Sequence, residues 1–154
     1  MSVPREEIAN HPFFRGMEAG FIDRISERAC KADFKANEIL FREGEPANRF
    51  FLVRSGKIAL ESHVPGNGAM RVAQVGEGEV LGWSWLFAPF SWHFQARALE
   101  PASVVTLDGG RLLVMTESDP KFGRDLMKRV TQVVIRRLQS TRQELIRQRL
   151  QPPL

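Results

Sequence analysis

The sequence EILFREGEPANRFFLVRSGKIALES, residues 38–62, is typical of antiparallel β-structure. Its apolar, aromatic and β-branched residues form short runs that are separated by glycine-containing turns. The tetrapeptide RSGK, residues 54–57, predicts a tight turn between two such runs. We therefore expect a β-hairpin that reverses at Gly56.

Further short runs extend this pattern from about Asp33 to Leu113. The runs MRVAQVGEGEV, FQARAL and SVVTLD favour strands, and VPGNGAM, residues 64–70, predicts a hairpin turn because Gly and Asn accept positive φ. Many short strands at regular spacing indicate an antiparallel barrel or sandwich. The predicted fold class is mainly β with flanking helices.

Both ends of the chain favour helices. Asn10 is the expected N-cap of a helix with Pro12 in its first turn. In the C-terminal part, Ser118 or Asp119 precedes Pro120 and begins a helix of about 30 residues, roughly 45 Å long. The apolar residues of the first segment have rough helical spacing: Phe21, Ile22, Ile25 and Cys30.

The C-terminal helix carries a one-sided apolar seam formed by Val130, Val134, Leu138, Thr141 and Leu145. So long a helix would extend beyond a small barrel, and the simplest partner for the seam is a second copy of the chain. We expect a homodimer through this helix.

The chain from Lys121 onward contains nine basic and two acidic residues, so that this part carries a charge of +7 and the first 120 residues carry −3.

Composition narrows the function classes. The chain has 154 residues, enough for one domain, and its single cysteine, Cys30, excludes an intrachain disulfide and a multi-cysteine metal site. The three histidines lack metal-ligand spacing, and no Walker loop, HExxH or GxSxG motif occurs. We predict a cytoplasmic protein that is not an enzyme and has no metal, with no secretory signal and no membrane segment.

The stretch GEGEVLGWSWLFAPFSWHF, residues 76–94, contains all three tryptophans and follows a glycine-rich turn. Together with residues 38–62 and the run ARALEPASVVTLD, residues 96–108, it resembles the cyclic nucleotide-binding domain of the catabolite-activator and fumarate–nitrate regulator superfamily. The resemblance implies a jelly-roll barrel with N-terminal helices and a long C-terminal helix. It divides this single domain into a helical segment at 1–34, a barrel at 35–117 and a helix at 118–150.

The resemblance places a phosphate-binding cassette at residues 78–98. At two positions of this cassette the residue differs from the polar ligand-binding residue of the family. In ligand-binding relatives a glutamate after the cassette glycine accepts from the ribose, and a later arginine pairs with the phosphate. Aligned without gaps from Gly82, these positions fall on Trp83 and Trp92, which offer neither an acceptor nor a charge. We therefore predict a degenerate cassette whose candidate ligand-binding residues are Gly78, Glu79, Gly82, Trp83, Ser84, Trp85, Trp92 and Arg97.

Four outcomes for this cassette remain open. Its aromatic side chains could plug the barrel mouth, or line a pocket for an apolar or planar ligand. A shifted loop register could bring Arg97 to a phosphate. The amides after Gly82, together with Ser84, could hold a smaller anion.

Three functions compete at this point. The first is a bacterial, non-catalytic sensor module of signal transduction or transcription regulation. Such a module would not bind cyclic AMP or cyclic GMP tightly and would need no cofactor. It would act through dimerisation and an unidentified protein partner. The second keeps a working site for a cyclic nucleotide or another small anionic or planar ligand. The third is an interaction protein whose basic helix docks an acidic partner or nucleic acid. Only four residues follow Leu150, so we expect no recognition helix and no sequence-specific DNA binding.

Overall fold

The computed structural model describes residues 3–151 and contains eight strands in two antiparallel four-stranded sheets. The first sheet has the order β1-β8-β3-β6, and the second has the order β2-β7-β4-β5. This two-sheet arrangement of eight strands is a jelly roll, which confirms the predicted fold class. The strands are β1 (Cys30–Phe34), β2 (Ile39–Phe41), β3 (Arg49–Ser55), β4 (Ile58–Val64), β5 (Gly68–Val75), β6 (Val80–Leu81), β7 (Gln95–Ala98) and β8 (Ala102–Asp108).

One of the two predicted hairpins is present: β4 pairs with β5 across the glycine-rich turn, where the Asn67 N–H donates to the Val64 carbonyl at 2.9 Å. The hairpin predicted at Gly56 is wrong, because β3 and β4 flank this turn but belong to different sheets, so the turn carries the chain from one sheet to the other. The strongly apolar β3, which is the central strand of residues 38–62, pairs with both β8 and β6. Four successive residues of β3, from Phe50 to Val53, are at most 2 % exposed, so this strand lies at the centre of the core.

The N-terminal helices differ from the expected positions. Asn10 ends α1 (Arg5–Ala9) as its C-cap, whereas α2 (Ala19–Ser26) buries Phe21, Ile22 and Ile25. Cys30 is exposed and begins β1, so it does not continue the apolar face of α2. The spacing was misleading because the four residues belong to two elements of different period.

Two helices follow the last strand. α3 (Gly109–Ser118) was not predicted, and all of it except Ser118 lies within the range 35–117 that was assigned to the barrel. Its N-cap is Asp108, whose carboxylate accepts from the Arg111 N–H at 3.1 Å. α4 (Pro120–Leu150) has the predicted start, with Asp119 as the capping residue and Pro120 at the first position. None of the helices formed by residues 3–151 is long and apolar enough to cross a bilayer.

The two halves of α4 have different surroundings. Its first half packs on the domain through Phe122, Leu126, Val130 and Val133, all of which are buried. Val130 therefore belongs to the core of its own domain, and the part of the predicted seam that is open begins at Val134. Beyond Val133 every residue of α4 is exposed except Arg137, which is partly buried.

Candidate functional site

The glycine of the predicted cassette, Gly82, follows the edge strand β6, which ends at Leu81. Gly82 has φ +88°, and a Cβ built there would lie 3.2 Å from the Trp92 ring and 3.0 Å from the Phe51 ring. The helix that follows is a three-residue 3-10 turn, Ser84–Leu86. Gly82 therefore serves the close packing of aromatic rings, and the short turn does not provide the helix N-terminus that the anion-binding alternative required.

Trp92 fills the interior next to Gly82. Its side chain is 4 % exposed and stacks on Phe41 with a centroid distance of 3.9 Å and an interplanar angle of 18°. Its backbone is held as well, because the Trp92 N–H donates to the Glu45 carbonyl at 2.9 Å and its carbonyl accepts from the Gly44 N–H at 2.8 Å. The position that the resemblance assigns to a phosphate-binding arginine thus holds a stacked aromatic pair.

Trp83 lies between the barrel and α4. It is partly buried and packs on the core, and the guanidinium carbon of Arg137 lies 4.5 Å from its ring centroid. Arg137 also donates to the carbonyl of Val80, and burial lowers the pKa of this arginine to about 10. The position assigned to the ribose-binding glutamate therefore makes a cation–π contact with the protein's own helix.

Trp85 is a core residue. It is 2 % exposed and meets Phe50 edge to face, with centroids 5.8 Å apart. It packs tightly on Gly109, where a Cβ would lie 2.6 Å from the Trp85 Cγ. Ser84, its neighbour, has its hydroxyl 3.3 Å from Nδ1 of His93.

Gly78 and Glu79 lie apart from the tryptophans, in the turn between β5 and β6. The Glu79 carboxylate accepts from the Gly76 N–H at 2.7 Å, and Gly78 has φ +82°. Both residues line a cavity of about 510 Å³ between the barrel and α4, whereas the other six candidates do not. The remaining walls of the cavity include Val72, Val80, Val133, Arg136, Ser140 and Thr141.

Arg97 lies on the opposite side of the sheet from the core. Its neighbours in β7, Ala96 and Ala98, are fully buried, and because side chains alternate along a strand, Arg97 points away from them. Its Nε donates to Glu61 Oε1 at 3.1 Å, its Nη2 also bonds Glu61, and its Nη1 donates to Asn37 Oδ1 at 3.0 Å. Arg97 is thus committed to a neighbouring strand, which weighs against its binding a phosphate.

Glu61 is the buried member of this ion pair. It is only 3 % exposed, and Gln95 donates to its Oε1 at 2.9 Å. Hydrogen bonding to the Arg97 guanidinium lowers the pKa of the Glu61 carboxyl below its ordinary value of 4.5. A lowered pKa in the folded state stabilises the fold above pH 4.5, and this contribution is lost as the pH falls through the folded-state pKa.

We expect Arg97→Ala to lower the free energy of unfolding at pH 7 by about 2–3 kcal/mol, because a buried carboxylate would lose its charged partner. The difference from the wild type should shrink as the pH falls, since Glu61 without its charged partner takes up a proton at a higher pH than the paired Glu61 of the wild type. Urea denaturation at pH 7 and pH 4 measures both quantities. Arg42→Ala, at an exposed arginine next to β2, is the control and should change little. An equal loss at the two pH values would contradict the prediction.

Sequence reasoning missed three residues that shape this region. Phe41 provides the surface on which Trp92 stacks, Gly109 makes room for Trp85, and Arg137 covers Trp83. Only Gly109 had a local signal, since a glycine pair follows a strand and a capping aspartate. The contacts of Phe41 and Arg137 join residues that are about 50 positions apart and had no such signal.

Comparison with known proteins agrees with the fold. Residues 31–119 match the family described as the cyclic nucleotide-binding domain. The "CRP-like cAMP-activated global transcriptional regulator" of Mycobacterium tuberculosis is 24% identical over 140 residues, which are 91% of this chain and 61% of that protein. The chain therefore spans less than two thirds of the length of this curated relative.

Two solved structures are also similar. A putative cyclic nucleotide-binding protein from Geobacter metallireducens has a TM-score of 0.81 and 26% identity, covering 88% of this chain and 98% of that one. The regulatory subunit of a cAMP-independent protein kinase A from Trypanosoma brucei has a TM-score of 0.67 and 17% identity, covering 83% of this chain and 47% of that one. The second likeness concerns the fold alone.

Proposed function

The chain belongs to the cyclic nucleotide-binding domain family, and we propose that it is a non-catalytic regulatory module whose cassette is filled by its own aromatic side chains and does not bind cyclic AMP or cyclic GMP tightly. One relative is described as a cAMP-activated regulator, and a solved structure of similar fold is described as a cAMP-independent kinase regulatory subunit. The fold thus occurs in both kinds of protein, and the residues of the cassette must distinguish them.

The stacking of Trp92 on Phe41 is the observation that carries this proposal. The indole is buried next to Gly82, where the family's cassette glycine stands, and it leaves no charged group there. A hydrogen bond to a charged group contributes about 1.5–3 kcal/mol, so losing both polar contacts weakens binding by about two to four orders of magnitude. The orientation of Arg97 toward Glu61 supports the same conclusion.

We expect isothermal titration calorimetry with cyclic AMP and cyclic GMP to give no saturable heat at micromolar concentrations. The Mycobacterium tuberculosis regulator described as cAMP-activated serves as the positive control under the same conditions. A micromolar or tighter dissociation constant for this chain would overturn the proposal.

The cavity between the barrel and α4 favours a second candidate function, the binding of a small ligand outside the aromatic stack. Its volume of about 510 Å³ is in the range of ligand pockets, and it combines apolar walls with Arg136 and two hydroxyl side chains. Calorimetric titrations of the variant Ala73→Phe with cyclic AMP and cyclic GMP separate the two candidate functions, because the larger side chain narrows this cavity. Nucleotide binding that Ala73→Phe abolishes and Trp92→Ala retains would place the ligand in the cavity.

We also propose that the module is a homodimer through the exposed part of α4. Val134, Leu138 and Leu145 are 42%, 66% and 51% exposed, and with Thr141 they lie on one side of a helix whose outer half has few contacts with its own domain. Apolar side chains at this spacing on a projecting helix are stabilised by a facing helix. The same region is strongly basic, which is compatible with an acidic partner as well.

Multi-angle light scattering should give about twice the chain mass of 17.5 kDa. Leu138→Arg should restore the monomer mass, because it places a charge in the centre of the apolar surface. Val114→Arg is the matched control, since Val114 is 65% exposed on α3, outside the seam. A monomer at high concentration, or equal effects of the two variants, would contradict the dimer.

A further inference from the structure

We infer that Trp83 and Arg137 form an internal contact that fastens α4 to the start of the cassette in the absence of any ligand. This inference rests on the proposed function, because it assigns to the protein's own side chains the position next to Gly82 that a ligand would need. The same contact sets the position of the long helix α4. We call this pair the Trp83–Arg137 contact.

The geometry joins three parts of the chain. Arg137 lies on α4, one turn beyond Val133, the last buried apolar residue of that helix. Its guanidinium covers the Trp83 ring at 4.5 Å and donates to the Val80 carbonyl. Val80 precedes Gly82 and Trp83 follows it, so a single side chain bridges both sides of the cassette glycine.

The charge of Arg137 explains why this contact depends on the position of α4. Arginine is seldom buried without a carboxylate partner, yet among residues 3–151 no carboxylate lies within ion-pair distance of Arg137. Burial lowers its pKa to about 10, and Glu79 offsets this effect only through longer-range attraction. The Trp83 ring and the Val80 carbonyl therefore provide the main compensation, and they do so only when α4 lies against the barrel.

The contact also marks a boundary within α4. Phe122, Leu126, Val130 and Val133 hold the helix up to this point, and after Arg137 every described residue of α4 is exposed. Arg137 is thus the outermost attachment of the helix to its own domain. Loss of the contact should release the turns around it while leaving the earlier, apolar part of the helix in place.

Amide hydrogen exchange of α4 tests this inference. Arg137→Met keeps the length of the side chain but removes the charge, and Trp83→Leu keeps an apolar side chain but removes the aromatic face. Each variant should accelerate exchange of the amides from Val133 to Thr141 by about tenfold, which corresponds to the contribution of a partly desolvated cation–π pair. The double variant should exchange no faster than Arg137→Met, because Trp83→Leu then removes a ring that no longer has a guanidinium partner.

Matched variants separate this contact from general destabilisation. Arg136→Met removes the adjacent, exposed arginine and should change exchange by less than about twofold. Arg137→Lys keeps the charge and should fall between wild type and Arg137→Met, because lysine lacks the planar group. Exchange in β3 and β8 reports global unfolding, and in each variant it should accelerate by no more than exchange from Val133 to Thr141 does. Unchanged exchange in Arg137→Met, or additive effects of the two single substitutions, would overturn the inference.

Saturating cyclic AMP distinguishes this result from a failure of the proposed function. If the nucleotide slows exchange of α4 in the wild type, the proposed function is wrong whatever the variants show. If the nucleotide has no effect and Arg137→Met also has none, the proposed function stands and the Trp83–Arg137 contact is refuted. The expected pattern is a response to the substitutions alone.

Discussion

Trp92→Ala is expected to lower the free energy of unfolding by about 3–5 kcal/mol, the usual cost of truncating a buried tryptophan. The indole is 4 % exposed, stacks on Phe41 at 3.9 Å and lies against Phe51 and Gly82, so its removal leaves a cavity lined by aromatic rings. The backbone hydrogen bonds of residue 92 to Glu45 and Gly44 would persist, which limits collapse of the surrounding residues. Urea denaturation followed by circular dichroism measures the loss.

Phe87→Ala is the matched control for this prediction. Phe87 belongs to the same cassette, but its side chain is 46% exposed. We expect this substitution to cost less than about 1 kcal/mol, because little apolar surface leaves water there on folding. Equal losses for the two variants would mean that Trp92 does not fill the interior, and the reading of the cassette as self-filled would fail with it.

Gly56→Ala is expected to cost about 3 kcal/mol or more, for two reasons that add. Gly56 has φ +90°, a conformation that costs an L-residue roughly 1–2 kcal/mol. A Cβ there would also lie 2.6 Å from both the Ala102 Cα and the Pro101 carbonyl oxygen, and overpacking of this kind costs about 1–3 kcal/mol. These contacts are backbone atoms at the start of β8, which cannot move aside as the end of a flexible side chain would.

Gly44→Ala separates the two contributions. Gly44 has nearly the same backbone angle, φ +88°, but no heavy atom lies within 4 Å of the Cβ position. Its substitution should cost about 1 kcal/mol, from the backbone conformation alone. The difference between the two denaturation midpoints therefore measures the close approach of the β3–β4 turn to β8. If the two variants are equally stable, Gly56 is only a turn residue.

The cassette and the long helix together suggest how this module differs from a ligand-operated one. Trp92 stacks on Phe41 inside the barrel, and the Trp83 ring lies against the Arg137 guanidinium of α4. With the proposed internal contact, the helix position depends on side chains of the same chain. A signal would then have to reach the module through its exposed helix or through the cavity next to that helix.

Local sequence patterns predicted most of the fold. Alternating short runs and positive-φ glycines located the turn at Gly56 and the hairpin around residues 64–68, and Asp119 with Pro120 located the start of α4. They did not reveal that the Gly56 turn joins two different sheets. The same reasoning misplaced Asn10, which caps the end of α1, and missed α3 altogether. These errors occur in short segments, where helix and turn signals overlap and packing against the barrel determines which structure forms.

The cassette shows most clearly which features the sequence determines and which only the tertiary structure determines. The sequence alone predicts that two tryptophans stand at the positions of the family's polar contacts, because the resemblance aligns Trp83 and Trp92 there and neither side chain offers a charge or an acceptor. Whether they fill the barrel, and whether Arg97 faces the cassette or Glu61, depended on the tertiary structure. Trp92 meets Phe41 and Trp83 meets Arg137 across about 50 residues of chain, and only the folding of two sheets and a long helix around one core brings such distant side chains together.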